Sequence, residues 1–521
     1  MKRLLLIALL IPALFAQAVP AQQSADRPPA AFADRVQQIM DRPEFRHAIF
    51  GMQFTALDTG QPVYRLNAEK LFTAASTTKL VTEGTALELL GGDHRFHTRI
   101  YRTGPVLADG TLDGDLVLVA SGDPNLSGRI RDDGTLAFEN EDHSYDGDPV
   151  PGDPLLVVRE LAKQVAARNI KKIRGRVLVD ASLFPEGDRE LGTGVVISPV
   201  VVNDNLVDLL IAPAPTVGAP AALTQSPVTS YVKFVSEITT GKAGSRVDIT
   251  PSSDVANADG SRTVTLKGSV PAGKPTTTAY PVPEPSRFAE VVLTEALAEN
   301  GISVAPGSPA TPRDFKALSA SYTPDRVVAE HVSPPLTEEI KVTLKVSQNL
   351  HASMTPLLIA ALLAKDPKQT GFDLEREFLV RAGLDVSGAV QGDGAGGDAH
   401  FTPEFMVAYL SYMAKQKSFA SFFNALPVLG RDGTLFDIQP ASPAAGHVQA
   451  KTGTFMNDDP LNRGLLVTAK GLAGYMTTAS GRRLVFAIYV NNVPVAEQAD
   501  VKKIAGQALG EIAAAAYESI P

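Results

Sequence analysis

Residues 72–80 read Phe72-Thr73-Ala74-Ala75-Ser76-Thr77-Thr78-Lys79-Leu80, with a serine three residues before a lysine. The apolar residues that follow, and the stop signal Gly91-Gly92, predict a buried helix that begins in this run. Because positions i and i+3 share a helix face, the Lys79 amine would lie one turn from the Ser76 hydroxyl and could take its proton. Ser76 would occupy the first turn, where backbone N–H groups and the helix dipole favour an oxyanion. The run therefore predicts an activated serine nucleophile.

A second serine-x-x-lysine run, Ser230-Tyr231-Val232-Lys233, occurs later in the chain. Roughly two such matches are expected by chance in a chain of this length at average composition. No clear helix follows the second run, and Pro227 precedes it, so we interpret it as the chance match.

Length and composition limit the classes of protein. With 521 residues, the chain predicts two or three domains, and 44% hydrophobic with 20% charged residues is typical of a folded protein. The net charge of -9, without basic runs, argues against a nucleic-acid partner. The absence of cysteine excludes disulfides, thiolate metal sites and a cysteine nucleophile.

The start of the chain has the three parts of a secretory signal peptide. A basic start, Met1-Lys2-Arg3, precedes an apolar run at residues 4–15 and the cleavage-type run Ala16-Gln17-Ala18. We expect residues 1–21 to be the signal peptide and the mature protein to be periplasmic. An uncleaved anchor is the alternative, but the apolar run is shorter than the ~20 residues that a membrane span needs.

Three regions of different character follow. Residues 22–92 contain a hairpin-like alternation at 45–62 that leads into the Ser76 helix, and we assign them to a first core segment. Residues 93–284 are rich in Gly, Pro, Asp and Thr and predict one or two inserted β-rich accessory domains. Strand-like runs lie at 115–120, 170–180, 200–211 and 263–267, and one helix at 155–168.

Residues 285–521 are predicted to form a second core segment. Helical patterns begin at 286 and cover 336–363 and 404–413, and strand-like runs follow at 447–455, 471–478 and 483–491. Apolar residues spaced by three or four from Ile504 to Ala515 predict a closing helix packed on a sheet. A membrane-lying helix is the alternative, which the scarcity of basic residues disfavours.

Two further motifs lie in this second segment. Ser347-Gln348-Asn349 falls within a helical stretch or at its bend, and Lys451-Thr452-Gly453-Thr454 falls on an apolar strand. Lys-Thr-Gly is expected by chance in only about one in ten chains of this length. Ser-x-x-Lys, Ser-x-Asn and Lys-Thr-Gly in this order are the elements of penicillin-binding proteins and class A β-lactamases.

Beyond these motifs, nearly all of the chain after residue 21 resembles the penicillin-binding protein 4 family of D-alanyl-D-alanine carboxypeptidases and endopeptidases, the class C low-molecular-mass penicillin-binding proteins. The matching stretches are residues 75–80, 114–116, 121–124, 175–180, 202–205, 333–336, 432–435 and 472–475. The resemblance implies an α+β fold, with a transpeptidase/β-lactamase-like core of antiparallel sheet and helices interrupted by inserted domains. It also implies a serine D-Ala-D-Ala carboxypeptidase that acts on peptidoglycan stem peptides, with D,D-endopeptidase action as a second activity, and β-lactams as covalent inhibitors. A homodimer is left open.

The residues of the three motifs suit cleavage of a peptide amide, which needs a nucleophile, a base, an oxyanion site and a proton donor. Ser76 would form the acyl-enzyme with Lys79 as its base, Ser347 would relay a proton to the departing amine, and Asn349 would hold Lys79 and the substrate amide. The strand motif would bind the terminal carboxylate through Lys451 and the hydroxyls of Thr452 and Thr454, with Gly453 between them. The resemblance implies an oxyanion hole formed by the N–H groups of Ser76 and Thr454.

No metal or cofactor is expected. His94 and His97 suggest a metal pair, but without a third ligand nearby a solvated segment is the preferred interpretation. The acidic run at residues 140–153 lacks EF-hand spacing and is interpreted as a surface loop.

The chain departs from the family pattern in three places. It lacks an acidic residue near 353 or 354, it carries Asp393-Gly394-Ala395-Gly396-Gly397-Asp398-Ala399 without the family's arginine, and a longer link spans residues 455–471. The missing arginine puts stem-peptide selectivity in doubt, and the link could reshape one edge of the cleft.

Two other functions compete with the carboxypeptidase. A β-lactamase or esterase on the same core needs rapid deacylation, for which no glutamate stands in a recognisable motif. A non-enzymatic peptidoglycan-binding protein is disfavoured by the intact Ser76, Lys79, Ser347, Asn349 and Lys451.

Overall fold

A computed structural model describes residues 30–305 and 314–521, so the expected signal peptide lies outside the described residues. The helices of the described residues are α1 Ala30–Met40, α2 Lys79–Leu90, α3 Leu156–Ala167, α4 Pro285–Glu299, α5 Phe315–Leu318, α6 Leu336–Val346, α7 Asn349–Leu363, α8 Gly371–Arg381, α9 Pro403–Met413, α10 Phe419–Asn424, α11 Gln498–Asp500 and α12 Gln507–Ser519. The strands are β1 Ile49–Ala56, β2 Pro62–Leu66, β3 Phe72–Thr73, β4 His97–Arg102, β5 Thr111–Leu112, β6 Leu116–Val119, β7 Lys172–Ile173, β8 Val177–Asp180, β9 Leu206–Ala212, β10 Ala222–Ser226, β11 Val232–Gly241, β12 Asp248–Ala256, β13 Arg262–Pro271, β14 Thr276–Pro281, β15 Ser303–Val304, β16 Val327–Val332, β17 Ala389–Gln391, β18 Ala399–Phe401, β19 Val448–Asp459, β20 Gly464–Thr477, β21 Arg483–Asn491 and β22 Val493–Val495.

An antiparallel sheet from both ends of the sequence forms the core. Its strand order is β19-β20-β21-β1-β2, and β22 pairs with β20 beside this path. The central strand β21 is buried along almost its whole length, because both faces of the sheet are covered. Its residues alternate accordingly: Phe486 and Ile488 face one layer of helices, whereas Ala487 and Tyr489 face the other.

Helices cover the two faces unequally. Helices α1 and α12 pack together on one face, with Phe32 and Ile512 in the shared core. Helices α2, α6, α7, α8, α9 and α10 form the second layer, in which α2 is buried on all sides. The predicted nucleophile helix therefore lies inside the molecule, between the sheet and its helical neighbours.

The residues between α2 and α6, where we propose the β-rich insert, have a hydrophobic core of their own. Its sheets are β16-β4-β6-β8, β15-β7-β5, β10-β9-β14 and β11-β13-β12. Strand β16 pairs with β4, and α4 packs against α3 and β8. The division into domains stays a prediction, and from these contacts we propose that the second core segment begins near residue 333 rather than at 285.

Most local predictions are confirmed. The hairpin is β1 and β2, the helix predicted at 155–168 is α3, and the strand predicted at 483–491 is β21. The strand predicted at 170–180 is divided into β7 and β8, and a turn at residues 203–205 precedes β9.

The longer link expected at residues 455–471 is formed by a strand hairpin. Strands β19 and β20 continue through it to the pair Asp459 and Gly464, and β22 joins β20 there. The extra residues lengthen a hairpin, in which the facing backbone groups of β19 and β20 pair apart from a register shift between Phe455 and Met456.

The closing helix is also confirmed, since α12 is largely buried in the core. Within residues 30–305 and 314–521, no helix combines the length and apolarity needed to cross a membrane.

Candidate active site

Ser76 lies in a 3-10 turn, Ala75–Thr78, that leads directly into α2. The preceding Ala75 has a φ of 47°, which is uncommon for a residue with a β-carbon. The turn is tied to the rest of the site because the Ala74 N–H donates to the Ala399 carbonyl over 3.0 Å. Half-buried Ser76 thus occupies a fixed position in the turn that precedes a buried helix.

The Lys79 side chain is fully buried and points back to Ser76. Its Nζ lies 2.7 Å from Ser76 Oγ and 2.6 Å from Asn349 Oδ1, and it also donates to the Ala395 carbonyl at 3.2 Å. Burial lowers the pKa of Lys79 to about 7, although the carboxylates of Glu190, Asp393 and Glu83 act in the opposite direction. A large share of the Lys79 amine is therefore neutral at neutral pH.

The Ser347-Gln348-Asn349 motif forms the break between α6 and α7, as predicted. Ser347 is left-handed, with a φ of 65°, and this turn separates the two helices. Its Oγ lies 2.9 Å from Lys451 Nζ and 3.4 Å from Lys79 Nζ. The break therefore places one hydroxyl between two lysines.

The Lys451-Thr452-Gly453-Thr454 motif lies on β19, next to the Ser76 turn. Fully buried Lys451 donates to Ser347 Oγ and to the Thr452 carbonyl at 2.8 Å. Burial, together with the positive charges of Lys79 and Lys470, holds the pKa of Lys451 well below its usual range. A β-carbon at Gly453 would lie 2.5 Å from the Ala74 carbonyl oxygen, so only glycine lets the strand approach the turn so closely.

The loop at residues 393–399 holds Lys79 without the family's arginine. Asp393 accepts hydrogen bonds from the backbone N–H groups of Ala395, Gly396 and Asp398, which shapes the loop. The Ala395 carbonyl is thereby presented to Lys79.

Two threonine partners were missed by the sequence analysis. Thr452 Oγ1 donates to Thr434 Oγ1 over 2.8 Å, and Lys470 Nζ donates to Thr454 Oγ1 over 2.6 Å. Thr434 lies in a stretch that carried the family resemblance but no assigned role. Lys470 faces Thr454 in the register of β19 and β20, so only a correct hairpin alignment could have identified it.

The insert also contacts the motifs. Tyr145 donates its phenol hydrogen to the Ser347 carbonyl over 2.8 Å, and Gln348 Nε2 donates to Asp142 Oδ1 over 3.1 Å. A β-carbon at Gly192 would lie 2.0 Å from Asn349 Nδ2. Residues that sequence places far from the core therefore pack directly on the Ser-x-Asn turn.

The interpretation of residues 140–153 as a surface loop is wrong at Asp142 and His143, which are both buried. Arg129 donates to Asp142 at 2.6 Å and to Asp204 at 2.7 Å, and His143 lies 2.7 Å from both Asp204 and Asp208. The run is drawn inward because these partners pair its charges.

Asp142, His143 and Asp204 also place three metal-ligand atoms close together. The Arg129 guanidinium already lies between the two carboxylates and donates to both, so it fills the position of a cation. This arrangement does not suit a metal ion.

His351 continues the same network next to Asn349. Its Nε2 lies 2.7 Å from Asp204 and its Nδ1 lies 2.8 Å from Glu339. Although burial opposes it, the charges of Glu339 and Asp204 raise the pKa of His351 to about 10. Hydrogen bonds to Asp204 and Asp208 likewise raise the pKa of His143 to about 10 against the effect of burial.

Two other sequence candidates lie apart from this site. Ser230 donates to Glu295 and Lys233 is exposed, so the second Ser-x-x-Lys run brings no such pair together. His97 is exposed and lies 2.9 Å from Glu330, as expected of a solvated segment.

Known proteins resemble the chain over nearly its full length. The chain is 27% identical to the D-alanyl-D-alanine carboxypeptidase of Actinomadura sp. (strain R39) over 482 residues, 88% of this chain and 80% of the relative. It is 25% identical to the D-alanyl-D-alanine carboxypeptidase DacB of Haemophilus influenzae over 450 residues, 84% of each chain.

The solved structure of penicillin binding protein 4 from H. influenzae matches with a TM-score of 0.70 at 20% identity, over 93% of this chain and 99% of the other. This likeness confirms the predicted α+β fold. The family model of the D-Ala-D-Ala carboxypeptidase 3 (S13) family matches residues 32–514. The chain therefore belongs to the D-Ala-D-Ala carboxypeptidase 3 (S13) family, and it is a serine-type carboxypeptidase, as its sequence predicted.

Proposed function

We propose that the protein removes the terminal D-alanine from peptidoglycan stem peptides through an acyl-enzyme on Ser76. The observation that carries this proposal is the buried Lys79 amine, 2.7 Å from Ser76 Oγ and with a pKa lowered to about 7. Ser76 Oγ bonds to the carbonyl carbon of the penultimate D-alanine, and the amide C–N bond breaks. Water then hydrolyses the ester and frees the shortened peptide.

The surroundings of Lys79 suit the role of base. A neutral amine has two hydrogens and one lone pair, and two acceptors, Asn349 Oδ1 and the Ala395 carbonyl, lie within hydrogen-bond distance. When both hydrogens are used there, the lone pair is left for the Ser76 hydroxyl proton.

Ser347 is placed to return that proton to the departing nitrogen. Lys451 donates to Ser347 Oγ over 2.9 Å, which uses an acceptor position of the hydroxyl and leaves its hydrogen free to donate. Lys79 Nζ, at 3.4 Å from the same oxygen, can resupply the proton. The proton thus passes from Ser76 through Lys79 and Ser347 to the leaving amine.

The β19 motif would bind the substrate's terminal carboxylate beside the nucleophile. Lys451 supplies positive potential, and Thr452 and Thr454 supply hydroxyls, while Gly453 lets the strand lie against the Ser76 turn. The backbone N–H groups of Ser76 and Thr454 would stabilise the oxyanion. A β-lactam has a strained amide and a carboxylate, so the same groups would accept it as an acylating inhibitor. Penicillin binding protein 4 of H. influenzae has been solved in complex with a β-lactam.

The location and the second activity follow from the same chemistry. Stem peptides lie outside the cytoplasm, which agrees with the expected signal peptide and a periplasmic enzyme. Cross-links between stem peptides contain the same type of bond after D-alanine, so D,D-endopeptidase cleavage would use the same acyl-enzyme. The homodimer stays a prediction.

The first test is intact mass spectrometry of the mature protein with a fluorescent penicillin. We expect a persistent adduct that Ser76→Ala abolishes and that Ser230→Ala, in the other Ser-x-x-Lys run, retains. D-alanine release from stem pentapeptides and from cross-linked muropeptides then compares the two activities. No adduct would favour a binding protein, and a short-lived adduct with hydrolysed drug would favour a β-lactamase.

A further inference from the structure

Lys470 introduces a third lysine into the site, from a strand that carries none of the sequence motifs. It lies on β20, directly across from Thr454 in the hairpin register, and its Nζ donates to Thr454 Oγ1 over 2.6 Å. Its side chain is only half-buried by area. The assigned chemistry of the three motifs leaves this lysine without a role.

The hydrogen bond from Lys470 determines which hydrogen-bonding roles remain for the Thr454 hydroxyl. An ammonium group has three donors and no acceptor, so Thr454 Oγ1 must act as the acceptor in this contact. The hydroxyl therefore keeps its own hydrogen for another partner. Thr452 differs, because its hydroxyl donates to Thr434 Oγ1 and must give up this hydrogen bond before it can donate to a substrate carboxylate. Of the two threonines of the motif, Thr454 is the one prepared to donate to an anion.

The charges around this hydroxyl also favour an anion. The hydrogen-bond partners of Lys451 in the described structure are neutral oxygens, those of Ser347 and Thr452. Asp437 is the carboxylate that attracts the Lys470 ammonium. Asp437 also forms an ion pair with Lys502 at 2.7 Å, which offsets its negative charge. Positive charge therefore exceeds negative charge on this side of the nucleophile.

We propose that Lys470 is a specificity-determining residue that orients the Thr454 hydroxyl toward the terminal carboxylate of the substrate. This inference rests on the proposed carboxypeptidase function. Lys470 contacts no reacting atom, so its effect falls on recognition of the carboxylate: it should lower KM for substrates that end in a free carboxylate and leave kcat nearly unchanged.

The ionisation of Lys470 gives an independent readout. Burial and the positive charge of Lys502 lower the pKa of Lys470 to about 8, against the attraction of Asp437, and Lys451 lies on the facing strand. KM for a carboxylate substrate should therefore rise above pH 8 in the wild type. In Lys470→Arg the guanidinium keeps its charge, so this rise should be absent.

The experiment compares acylation by benzylpenicillin with acylation by its methyl ester, which lacks the carboxylate. We expect Lys470→Met to lower the second-order rate constant for benzylpenicillin about tenfold, a typical loss for a charge-assisted hydrogen bond, and to leave the ester rate within about twofold. Lys470→Arg should restore most of the benzylpenicillin rate. The exposed Lys503→Met serves as the matched control and should behave as the wild type.

Other results would overturn the proposal. Equal losses with both compounds would indicate a structural role for Lys470, and unchanged rates with both would exclude any role in recognition. If Lys470→Met does not fold, the pH profile of Lys470→Arg still decides, since a rise in KM above pH 8 in that variant contradicts the assignment. Failure of the proposed function itself would look different, because the wild type would then acylate with neither compound.

Discussion

Two polar clusters lie side by side in this molecule, and they differ in whether their positive charges are paired with carboxylates. We define the lysine cluster as Ser76, Lys79, Ser347, Asn349, Lys451 and Lys470, and the ionic cluster as Arg129, Asp142, His143, Asp204, Asp208, Glu339 and His351. The lysine cluster has cations that face neutral oxygens and one another, and burial lowers the pKa of each lysine. The ionic cluster pairs each cation with carboxylates, and its histidines have raised pKa values.

This difference suits the lysine cluster to proton transfer and the ionic cluster to holding the site in place. An amine with a pKa near the working pH can both take and give a proton, which requires that its charge is not fully compensated. A compensated network holds its protons and fixes geometry instead. The two clusters meet at the Ser-x-Asn turn, where Asp142 accepts from Gln348 and Tyr145 donates to Ser347.

The largest expected effect is on activity, at the centre of the lysine cluster. Lys79→Met removes the base, and we expect acylation by a fluorescent penicillin to slow by about 10³-fold or more. The exposed Lys70→Met is the control and should acylate normally. Methionine has nearly the length of lysine but leaves Asn349 Oδ1 and the Ala395 carbonyl without this donor, so the melting temperature should fall by a few degrees. A Lys79→Met enzyme that acylates within tenfold of the wild type would remove Lys79 from the role of base.

The next effect is on stability, in the ionic cluster. Arg129→Met leaves Asp142 and Asp204 buried without their main partner, and we expect the free energy of unfolding to fall by about 3–5 kcal/mol. Urea denaturation measures this loss, with the exposed Arg131→Met as the control. A loss below about 1 kcal/mol would show that the cluster is not held by paired charge.

The third prediction uses pH to separate the clusters. Lys79 must be neutral to act as a base, so acylation should fall about tenfold per pH unit below its pKa of about 7. The histidines of the ionic cluster should stay protonated in this range, because the pKa values of His143 and His351 are raised to about 10. Stopped-flow acylation between pH 5 and 8 measures the profile. A flat profile would contradict a neutral Lys79 base.

The smallest effect is expected where the insert contacts the core. Tyr145→Phe removes only the hydrogen bond to the Ser347 carbonyl, and we expect acylation to slow about fivefold, the effect of one ordinary hydrogen bond. The ring is partly exposed, so the free energy of unfolding should fall by no more than about 1 kcal/mol. Tyr517→Phe, on the opposite face of the core sheet, is the matched control. Wild-type rates in Tyr145→Phe would separate the insert from the chemistry.

The two clusters also differ in how much of their structure can be predicted from the sequence. The contact of Lys79 with Ser76 follows from helix geometry, and the position of Ser347 at a bend follows from the helical patterns on either side of it. The role of Lys470 depends on the register of β19 and β20, and Lys470 falls in the segment that the sequence analysis assigned only to a longer link. The burial of Asp142 depends on Arg129, which also binds Asp204 from 75 residues further along the chain. Sequence patterns therefore predict contacts within one helix or turn. They do not predict which charged residues from separate segments pair in the folded chain.

The close approach of β19 to the Ser76 turn has a consequence for antibiotic resistance. Any side chain at position 453 would push the strand away from the Ala74 carbonyl and open the gap beside the nucleophile. A substitution at position 453 that reduced acylation by β-lactams would also weaken the binding of stem peptides, since both ligands would use the same narrow space. Resistance through position 453 should therefore cost the enzyme its own activity, which disfavours substitutions there.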